Sequence, residues 1–506
     1  MSQPRAEDTI PVVVAGGQHT VRVGGVDVLD LAEHAARAAL DAAPRLADLV
    51  ERLSFVDALS SSGKAPAAAL ARRLGLTPRS LEKSTVGGNT PQWLVTRAAA
   101  DIAAGQLSAT LIAGAEAVAS RRQGVPPPAE ADDATHGPDE VVGLDRDGVS
   151  PQEAAVGLGL PAHIYPMLES ARARRLGHDH ATHRRRLGEL MAPFTEVAAT
   201  HPHAWFPQTR SAAEIAEVAP DNRVTAEPYT LRMNAILNVD QGAALLVTSL
   251  AAARWAGVAD RVVFVWSGAD ANDAWFVPSR PRLDASPAIA AATGTALRAA
   301  GLDADDLARL ELYSCFPVAV EMAADALGVA HDDPRGLTVT GGLPYFGGPG
   351  NNYTTHGIAT LTDRLREEGG TGLATGLGWF ATKHAAGVYG ATPPPRGFVV
   401  GDTTELQSHI DDGALELADT HDGEARVVGA TVVRDRAGAV AAAPAYLQLP
   451  DGRRLAAAAD PDHLDELGEG PLADASLVDA HVHVSGQVPT YRVVQAPHRP
   501  TTKAIS

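Results

Sequence analysis

The amino-acid sequence predicts an α/β protein followed by a small all-β unit near its C-terminal end. Up to about residue 400, short apolar runs alternate with segments whose apolar residues repeat at helical spacing. This alternation is typical of a mostly parallel sheet that is covered by helices on both faces. Beyond about residue 415, short strand-like runs separated by turn residues replace it and predict a small antiparallel barrel.

The first series of elements begins near the N-terminus. Residues 10–15 predict a buried strand, residues 28–48 a helix, residues 53–58 a second strand and residues 66–74 a second helix. Residues 107–116 predict a further strand, because an apolar run there ends in a turn of small residues. These segments form one half of the predicted sheet.

A second series begins with a strand at residues 261–266. A helix is predicted over residues 287–300, because Ser286 is a favoured N-cap residue and Pro287 suits the first helical position. The remaining elements are predicted at residues 310–313 (strand), 321–327 (helix) and 337–340 (strand). These segments predict a second half of the sheet, built from alternating strands and helices like the first half.

The overall totals exclude several classes of function. The chain has 506 residues, with 42 Lys and Arg against 61 Asp and Glu, and its net charge is −19. This charge argues against non-specific binding to nucleic acid or to an anionic membrane. The single cysteine allows no intramolecular disulfide, and no run of about 18 apolar residues predicts a membrane span. We expect a cytoplasmic protein, because the polar N-terminus does not resemble a signal peptide.

Three glycine-rich stretches stand out. They cover residues 84–92, 338–352 and 371–380, each next to a predicted strand or helix. A glycine-rich loop that opens a helix can present backbone N–H groups to a ligand. Because the stretches come from both series of elements, they predict one site built from two halves.

The motifs in these stretches resemble those of the thiolase superfamily, over about residues 10–400. Gly341-Gly342 with Gly347-Gly348-Pro349 resembles the family loop GGAxAxGHP, and Gly376-Leu377-Gly378 resembles its CxG motif. Tyr313-Ser314-Cys315-Phe316 lies where the family has NEAF or HDCF, and Gly87-Gly88 lies where it has its nucleophilic cysteine. The added C-terminal unit resembles that of the actinobacterial thiolase-like proteins of type 1.

The resemblance implies a duplicated five-layer αβαβα thiolase fold with an OB-like C-terminal barrel. We expect the N-terminal half at residues 1–120, completed by about 241–260, and the C-terminal half at 261–400. A loop domain is expected at residues 121–240, and the barrel at 415–496. Some members of the family are dimers, but the added unit leaves both a homodimer and a monomer open.

The same resemblance implies that the usual thiolase chemistry is lost. A thiolase needs a cysteine nucleophile, an activating histidine, a second cysteine as acid and base, and an oxyanion-hole residue. The matching positions here are Gly88, Gly348, Gly376 and Tyr313. Glycine has no side chain that could act as nucleophile, acid or base.

The remaining candidates for catalysis are Tyr313, Cys315 and His356. Tyr313 would be the acid, base or oxyanion donor, in a possible cluster with Tyr345 and Tyr353, but it equally fits a volume-filling role. Cys315 equally fits a small buried apolar residue. Asn351, Asn352 and His356 are expected to face the cavity, and His384 is expected to pack at the edge of the site. The substrate-binding positions implied by the resemblance are Gly88, Asn89, Gly348, Asn351, Gly376 and Gly378.

A dense basic cluster lies at residues 172–186 and ends in Arg184, Arg185 and Arg186. In a chain of net charge −19, this cluster is the candidate for binding the phosphates of coenzyme A, although charge runs are often solvated helix faces. His178, His180 and His183 lie within it. We expect no metal site there, because Asp179 is the only acidic partner nearby in sequence.

Three functions remain open. The resemblance implies a protein of the acetyl-CoA acetyltransferase-like branch that binds a CoA thioester as substrate or ligand, with no other cofactor, and belongs to lipid metabolism. Its reaction class would be C-acyl transfer. The first alternative is a retro-aldol C–C lyase that acts on a 3-hydroxyacyl-CoA through Tyr313. The second is a non-catalytic module that binds CoA or acyl-CoA.

Overall fold

The computed structural model describes residues 8–132, 137–468 and 476–497. Parts of the predicted units 1–120, 121–240 and 415–496 lie outside these ranges, and the domain boundaries stay predictions.

The helices are α1 (Val28–Asp41), α2 (Pro66–Leu74), α3 (Thr90–Ala103), α4 (Val118–Arg122), α5 (Pro151–Ala155), α6 (Pro161–Leu176), α7 (His180–Thr200), α8 (Ala212–Ala216), α9 (Leu250–Ala256), α10 (Pro287–Ala300), α11 (Pro317–Leu327), α12 (Tyr353–Glu368), α13 (Thr404–Asp412) and α14 (Leu464–Gly468).

The strands are β1 (Pro11–Thr20), β2 (Val50–Val56), β3 (Ser80–Ser84), β4 (Ala109–Ala117), β5 (Glu140–Val142), β6 (Val224–Ala226), β7 (Tyr229–Thr230), β8 (Asp240–Ser249), β9 (Val263–Asn272), β10 (Arg309–Glu311), β11 (Thr371–Gly378), β12 (Lys383–Gly390), β13 (Val399–Val400), β14 (Gly423–Ala430), β15 (Val433–Arg434), β16 (Val440–Ala442), β17 (Pro444–Gln448), β18 (Arg454–Ala459), β19 (His481–Ser485) and β20 (Thr490–Gln495).

The main sheet has the strand order β10-β11-β12-β9-β1-β8-β4-β2-β3-β5, and β13 pairs with β9 beside this path. Its two halves meet between β1 and β9, which pair over only Val12 with Phe264 and Val13 with Val263. The prediction of a mostly parallel sheet is wrong, because β8, β9 and β12 enter antiparallel to their neighbours. A tight turn joins β11 to β12, and a turn of that length can only reverse the strand direction.

The two half-sheets enclose a central pair of helices. Helices α3 and α12 contact each other and strands of both halves. On the outer faces, α1 and α2 pack on the N-terminal half, whereas α10 packs on β9 and β12 of the C-terminal half. The layers therefore run helix, sheet, helix, sheet, helix. This arrangement brings the N-terminal ends of α3 and α12 close to strand β11 at the centre of the molecule.

Several predicted elements are confirmed, and one is wrong. Helix α2 and helix α10 have the predicted bounds, and Ser286 caps α10 by accepting a hydrogen bond from the backbone of Ile289. Residues 337–340 do not form a strand. The backbone N–H groups of Val339 and Thr340 donate instead to the buried carboxylate of Glu311, at 2.7 and 3.1 Å. The β-branched residues here predict a strand whose N–H groups bond to a neighbouring strand. In the structure the side chain of Glu311 accepts those hydrogen bonds instead.

The C-terminal unit is a closed five-stranded barrel, in the order β14-β17-β18-β20-β19. It encloses a hydrophobic core of its own, made of small and branched residues with Tyr491. The barrel also contacts the body of the protein. The hydroxyl of Tyr446 donates to Glu153 at 2.7 Å, and Arg174 forms an ion pair with Asp479 at 2.8 Å. The predicted barrel is confirmed.

Helices α6 and α7 form the main helical part of the region between the two halves. Helix α6 contacts α11 of the core and strand β14 of the barrel, so it lies between these two units. Helix α7 contacts α8 and α11. Within the described residues, none of the helices combines the length and the apolar character that crossing a membrane requires.

Candidate functional site

The three glycine-rich stretches converge where the central helices begin. The backbone N–H of Gly87 donates to Oδ1 of Asn351 at 2.9 Å, and the hydroxyl of Thr354 donates to the carbonyl oxygen of Gly88 at 2.6 Å. Strand β11 packs against the same loop, because a Cβ atom at Gly376 would lie 2.8 Å from Cα of Asn89. Residues from both halves of the chain therefore surround the loop that precedes helix α3.

The start of helix α3 differs from the prediction in detail. Thr90 is a favoured N-cap residue and precedes Pro91, so the sequence predicts that it caps α3. In the structure the helix begins at Thr90, with Asn89 in the N-cap position. The hydroxyl of Thr90 donates to the carbonyl oxygen of Gly87 at 2.7 Å, so it closes the loop instead of capping the helix. The positive end of the helix still points toward this loop.

Tyr313 fills the space beside Gly88. A Cβ atom at Gly88 would lie 2.7 Å from Cζ of Tyr313, and closer still to its hydroxyl. The ring of Tyr313 packs edge-on against Tyr353 at 5.4 Å, and its backbone N–H donates to Thr375 at 2.8 Å. Burial raises the pKa of Tyr313 well above its usual value. The phenol thus stays protonated and occupies the volume that a side chain at residue 88 would need.

The cavity at Tyr313 is very small. Its volume is about 10 Å³, and its walls include Gly376, Leu377 and His384. A space of this size holds about one water molecule. The imidazole Nε2 of His384 lies 3.0 Å from the carbonyl oxygen of Ala381, within hydrogen-bonding distance. A thioester group therefore has no room beside Tyr313 in this conformation.

Cys315 is buried and has no features of a nucleophile. Burial raises the pKa of its thiol to about 12, so the thiolate is scarcely populated near neutral pH. Tyr165 of helix α6 lies next to it, stacks on Phe316 at 4.4 Å, and donates a hydrogen bond to the carbonyl oxygen of Trp379 at 3.1 Å. The sequence analysis does not single out Tyr165, because it lies on a helix far away in sequence.

Two of the predicted site residues lie in other surroundings. The backbone N–H of Gly348 donates to the carbonyl oxygen of Ile236 at 2.9 Å. The Nδ1 atom of His356 lies 2.8 Å from Oε1 of Gln18, and its ring packs on Phe346 at 5.1 Å. Burial lowers the pKa of His356 well below its usual value, so it is neutral. Neither residue lines the small cavity at Tyr313.

Lys383 is a second residue that sequence reasoning missed. Its ammonium group donates to the carbonyl oxygen of Val86, and a Cβ atom at Gly378 would lie 3.1 Å from its Cε atom. Burial lowers its pKa to about 8. Together with Asn89 it lines a cavity of about 60 Å³ on the outer side of the loop. The only sequence signal is its position five residues after Gly378.

The basic cluster is largely paired with acidic residues. Arg184 contacts Glu227 at 2.8 Å, and Arg172 contacts both Glu321 at 2.9 Å and Asp325 at 2.8 Å. Arg185 is exposed. Arg186 lies 3.2 Å from His331 and reaches into a cleft.

Two neighbouring clefts adjoin this cluster. A polar cleft of about 650 Å³ is lined by Arg172, Arg175, Arg186 and His331. A larger cleft of about 790 Å³ lies between helices α10, α11 and α13. Its walls are mostly apolar and also carry charged residues of both signs, and they include Pro287, Ala290, Ala291, Met322, Ile410, Arg282, Arg298, Asp273 and Asp284. Arg175 and Asp325 line both clefts.

Comparison with known structures decides the family. The crystal structure of a monomeric SCP2-thiolase-like protein type 1 from Mycobacterium smegmatis matches 96% of this chain and 99% of its own, at 32% identity and a TM-score of 0.82. The chain belongs to the SCP2-thiolase-like family. No protein-family model matches it, and no curated protein does. This result confirms the predicted resemblance, and with it the thiolase-like α/β fold carrying a C-terminal barrel.

More distant solved structures share the fold of this SCP2-thiolase-like chain. Human mitochondrial 3-ketoacyl-CoA thiolase, solved in complex with CoA, matches 76% of the chain and 99% of its own at 17% identity, with a TM-score of 0.54. The Ltp2–ChsH2(DUF35) aldolase matches 76% of the chain and 98% of its own at 19% identity, with a TM-score of 0.56. Each of these two structures matches 76% of this chain, which is about the length of the predicted thiolase-like body without the C-terminal barrel.

Proposed function

We propose that this SCP2-thiolase-like protein binds a CoA thioester and does not carry out thiolase acyl transfer. The observation that carries the proposal is the position of the Tyr313 phenol, which fills the space beside Gly88 where a thiolase needs its nucleophile. The residues at 88, 348 and 376 are glycines, and the one cysteine is buried with a raised pKa. The fold is kept, whereas the groups that perform the chemistry are absent.

The two clefts support ligand binding outside the filled pocket. A CoA thioester combines negatively charged phosphates with an apolar acyl chain, and the polar and apolar clefts match these two parts. Arg175 and Arg186 face the polar cleft, and Arg175 continues into the apolar one. In a chain of net charge −19, arginines at a cleft are the groups that would attract an anionic ligand. The volumes fall in the range of small-molecule sites.

The first experiment measures binding of CoA and of acyl-CoAs of different chain length by calorimetry at two salt concentrations. We expect binding to weaken at higher salt, and to weaken by about tenfold or more when Arg184, Arg185 and Arg186 are replaced with Ala. Arg175→Ala should have a similar effect. Arg254→Ala is the control, because Arg254 is exposed on helix α9 and lines neither cleft.

Unchanged affinity in both cleft variants would place the ligand elsewhere and contradict the proposed site. A folded parent protein that binds none of these compounds would contradict the proposed function. Ordinary turnover of acetoacetyl-CoA would show that the protein has a nucleophile that the glycine positions do not supply.

A retro-aldol lyase is the second candidate, because Tyr313 is a protic side chain next to the start of helix α3. As a phenolate it would take the β-hydroxyl proton of a 3-hydroxyacyl-CoA, while the helix start stabilises the enolate oxygen. This step requires the buried phenol to ionise first, against the burial that raises its pKa. This role requires the pocket to open beyond its present volume. Tyr313→Phe removes the hydroxyl and little volume, so turnover should fall by about a hundredfold or more while binding survives. Equal absence of turnover in parent and variant would favour the binding function.

A further inference from the structure

Three helices bring one histidine and two glutamates together in the interior. Glu169 of α6, His183 of α7 and Glu321 of α11 have no exposed surface. Their ligand atoms all lie within 4.8 Å of one another. Buried carboxylates are costly unless a cation, a proton or hydrogen bonds compensate their charge. Some group must therefore compensate the charge of the two buried glutamates.

Glu169 and His183 have hydrogen-bond partners, whereas Glu321 faces the carboxylate of Glu169, which can bond to it only when one of the two carries a proton. The Nε2 atom of His183 lies 2.7 Å from Oε1 of Glu169, and the hydroxyl of Tyr229 donates to Oε2 of Glu169 at 2.6 Å. Both oxygens of Glu321 lack a hydrogen bond of acceptable geometry, although the Nε atom of Arg172 lies 2.9 Å away. Glu321 is thus a buried acceptor directed at the other two residues.

The charges around the cluster leave room for a cation. Three carboxylates, of Glu169, Glu321 and Asp325, lie against two guanidinium groups, of Arg172 and Arg186. With all three carboxylates ionised and the imidazoles neutral, this leaves one negative charge. Burial opposes that charge and raises the pKa of Glu321 to about 7, so a proton or a cation must compensate it. His331 also lies nearby, 3.6 Å from Glu321 and 2.9 Å from Asp325.

We propose that Glu169, His183 and Glu321 bind a divalent transition-metal ion, with Zn²⁺ as the best fit. One imidazole nitrogen and two carboxylate oxygens form a donor set that Zn²⁺ accepts, and a further position is left for water. The Nδ1 atom of His183 lies 3.2 Å from Nδ1 of His178. When Nε2 binds the metal, Nδ1–H donates to His178, which holds the ring in the required tautomer.

A metal at this cluster would have a structural consequence. Arg172, Arg186 and His331 lie against Glu321 and line the polar cleft, whereas the three proposed ligands do not line it. A bound metal would link α6 and α7 to α11 of the core. The proposal does not depend on CoA binding, because the metal would be held whether or not a ligand occupies the clefts.

The rival explanation is a proton shared between Glu169 and Glu321, which would satisfy the same charge without metal. The test uses the full chain, treated with a chelator and then titrated with Zn²⁺ by calorimetry and with Co²⁺ by visible absorption. We expect one equivalent of each metal to bind, a Co²⁺ d–d band, and a higher thermal midpoint with Zn²⁺.

His183→Gln and Glu321→Gln should each weaken binding by about a hundredfold or more. His331→Gln is the matched control, since His331 lies against Glu321 but outside the ligand set, and it should retain the affinity within about threefold. A folded parent without Zn²⁺ binding or a Co²⁺ band would overturn the proposal in favour of the shared proton. Equal loss in His331→Gln and His183→Gln would overturn the assigned ligand set.

Discussion

At residue 88 the chain has no side chain, and the phenol of Tyr313 takes the vacant volume. The two positions are more than two hundred residues apart in sequence, yet the residue type at each position fits the residue type at the other. Gly88 makes room for the ring, and the ring prevents the pocket from remaining an empty cavity, which is costly in a protein interior. The pocket in which the resemblance predicts the reaction is therefore a packed part of the core.

Gly88→Ala should destabilise the protein, because the added methyl group would overlap Tyr313 and the carbonyl oxygen of Leu377. We expect a loss of about 1–3 kcal/mol in the free energy of unfolding, measured by chemical denaturation. Gly159→Ala is the control, because a Cβ atom at Gly159 meets no other atom within 4 Å, and its effect should stay within about 0.5 kcal/mol.

A double variant tests whether the overlap with Tyr313 causes the loss of stability in Gly88→Ala. If the overlap with Tyr313 is responsible, the double variant Gly88→Ala with Tyr313→Leu should lose less stability than the sum of the two single variants. Strictly additive effects would mean that the two residues do not compete for the same space.

At the level of elements, the segment after α11 illustrates how one side chain changes a local structure. Residues 337–340 have the composition of a strand, but Glu311 accepts hydrogen bonds from Val339, Thr340 and the hydroxyl of Tyr353. The carboxylate is fully buried and holds the glycine-rich loop in front of helix α12. A sheet partner and this carboxylate are alternatives for the same backbone N–H groups.

Glu311→Gln should destabilise the loop. An amide offers one acceptor fewer than a carboxylate and would direct its NH₂ group at other donors, so we expect a loss of about 1–3 kcal/mol in unfolding free energy. Faster hydrogen exchange at Val339 and Thr340 should accompany it. Glu405→Gln on the exposed face of α13 is the control and should change little. Unchanged exchange at residues 339 and 340 would contradict the role given to Glu311.

At the scale of the whole molecule, the barrel and the thiolase-like body are joined by an exposed segment. Helix α13 has no buried residues, and Arg396 before it is exposed. The barrel is closed and has its own core, so its five strands leave no open edge. The hairpin β15–β16 beside it pairs with β6 of the body, and Tyr446 and Asp479 add further contacts to the body.

Limited trypsin digestion should cut after Arg396 and leave a protected C-terminal fragment that contains residues 415–496. Gel electrophoresis and mass spectrometry follow the fragment, and Arg396→Gln should suppress its formation. Degradation of the C-terminal region without a protected fragment would count against an independent domain.

The sequence by itself determined the class of fold, the order of the two halves and the C-terminal barrel, and it predicts glycines at the positions where a thiolase has its catalytic side chains. These features depend on local periodicity, turn residues and residue identity, all of which are readable along the chain. It could not predict that β8, β9 and β12 run antiparallel, since strand direction depends on how distant segments connect.

Only the tertiary structure decided which side chains meet. Tyr313 fills the space at Gly88, Tyr165 covers Cys315, and Glu169, His183 and Glu321 form one buried cluster. The sequence predicts no metal there, because Asp179 is the nearest acidic residue along the chain, whereas Glu321 comes from helix α11 of the C-terminal half. Such contacts arise from the packing of elements that are far apart in sequence, and local patterns do not encode them.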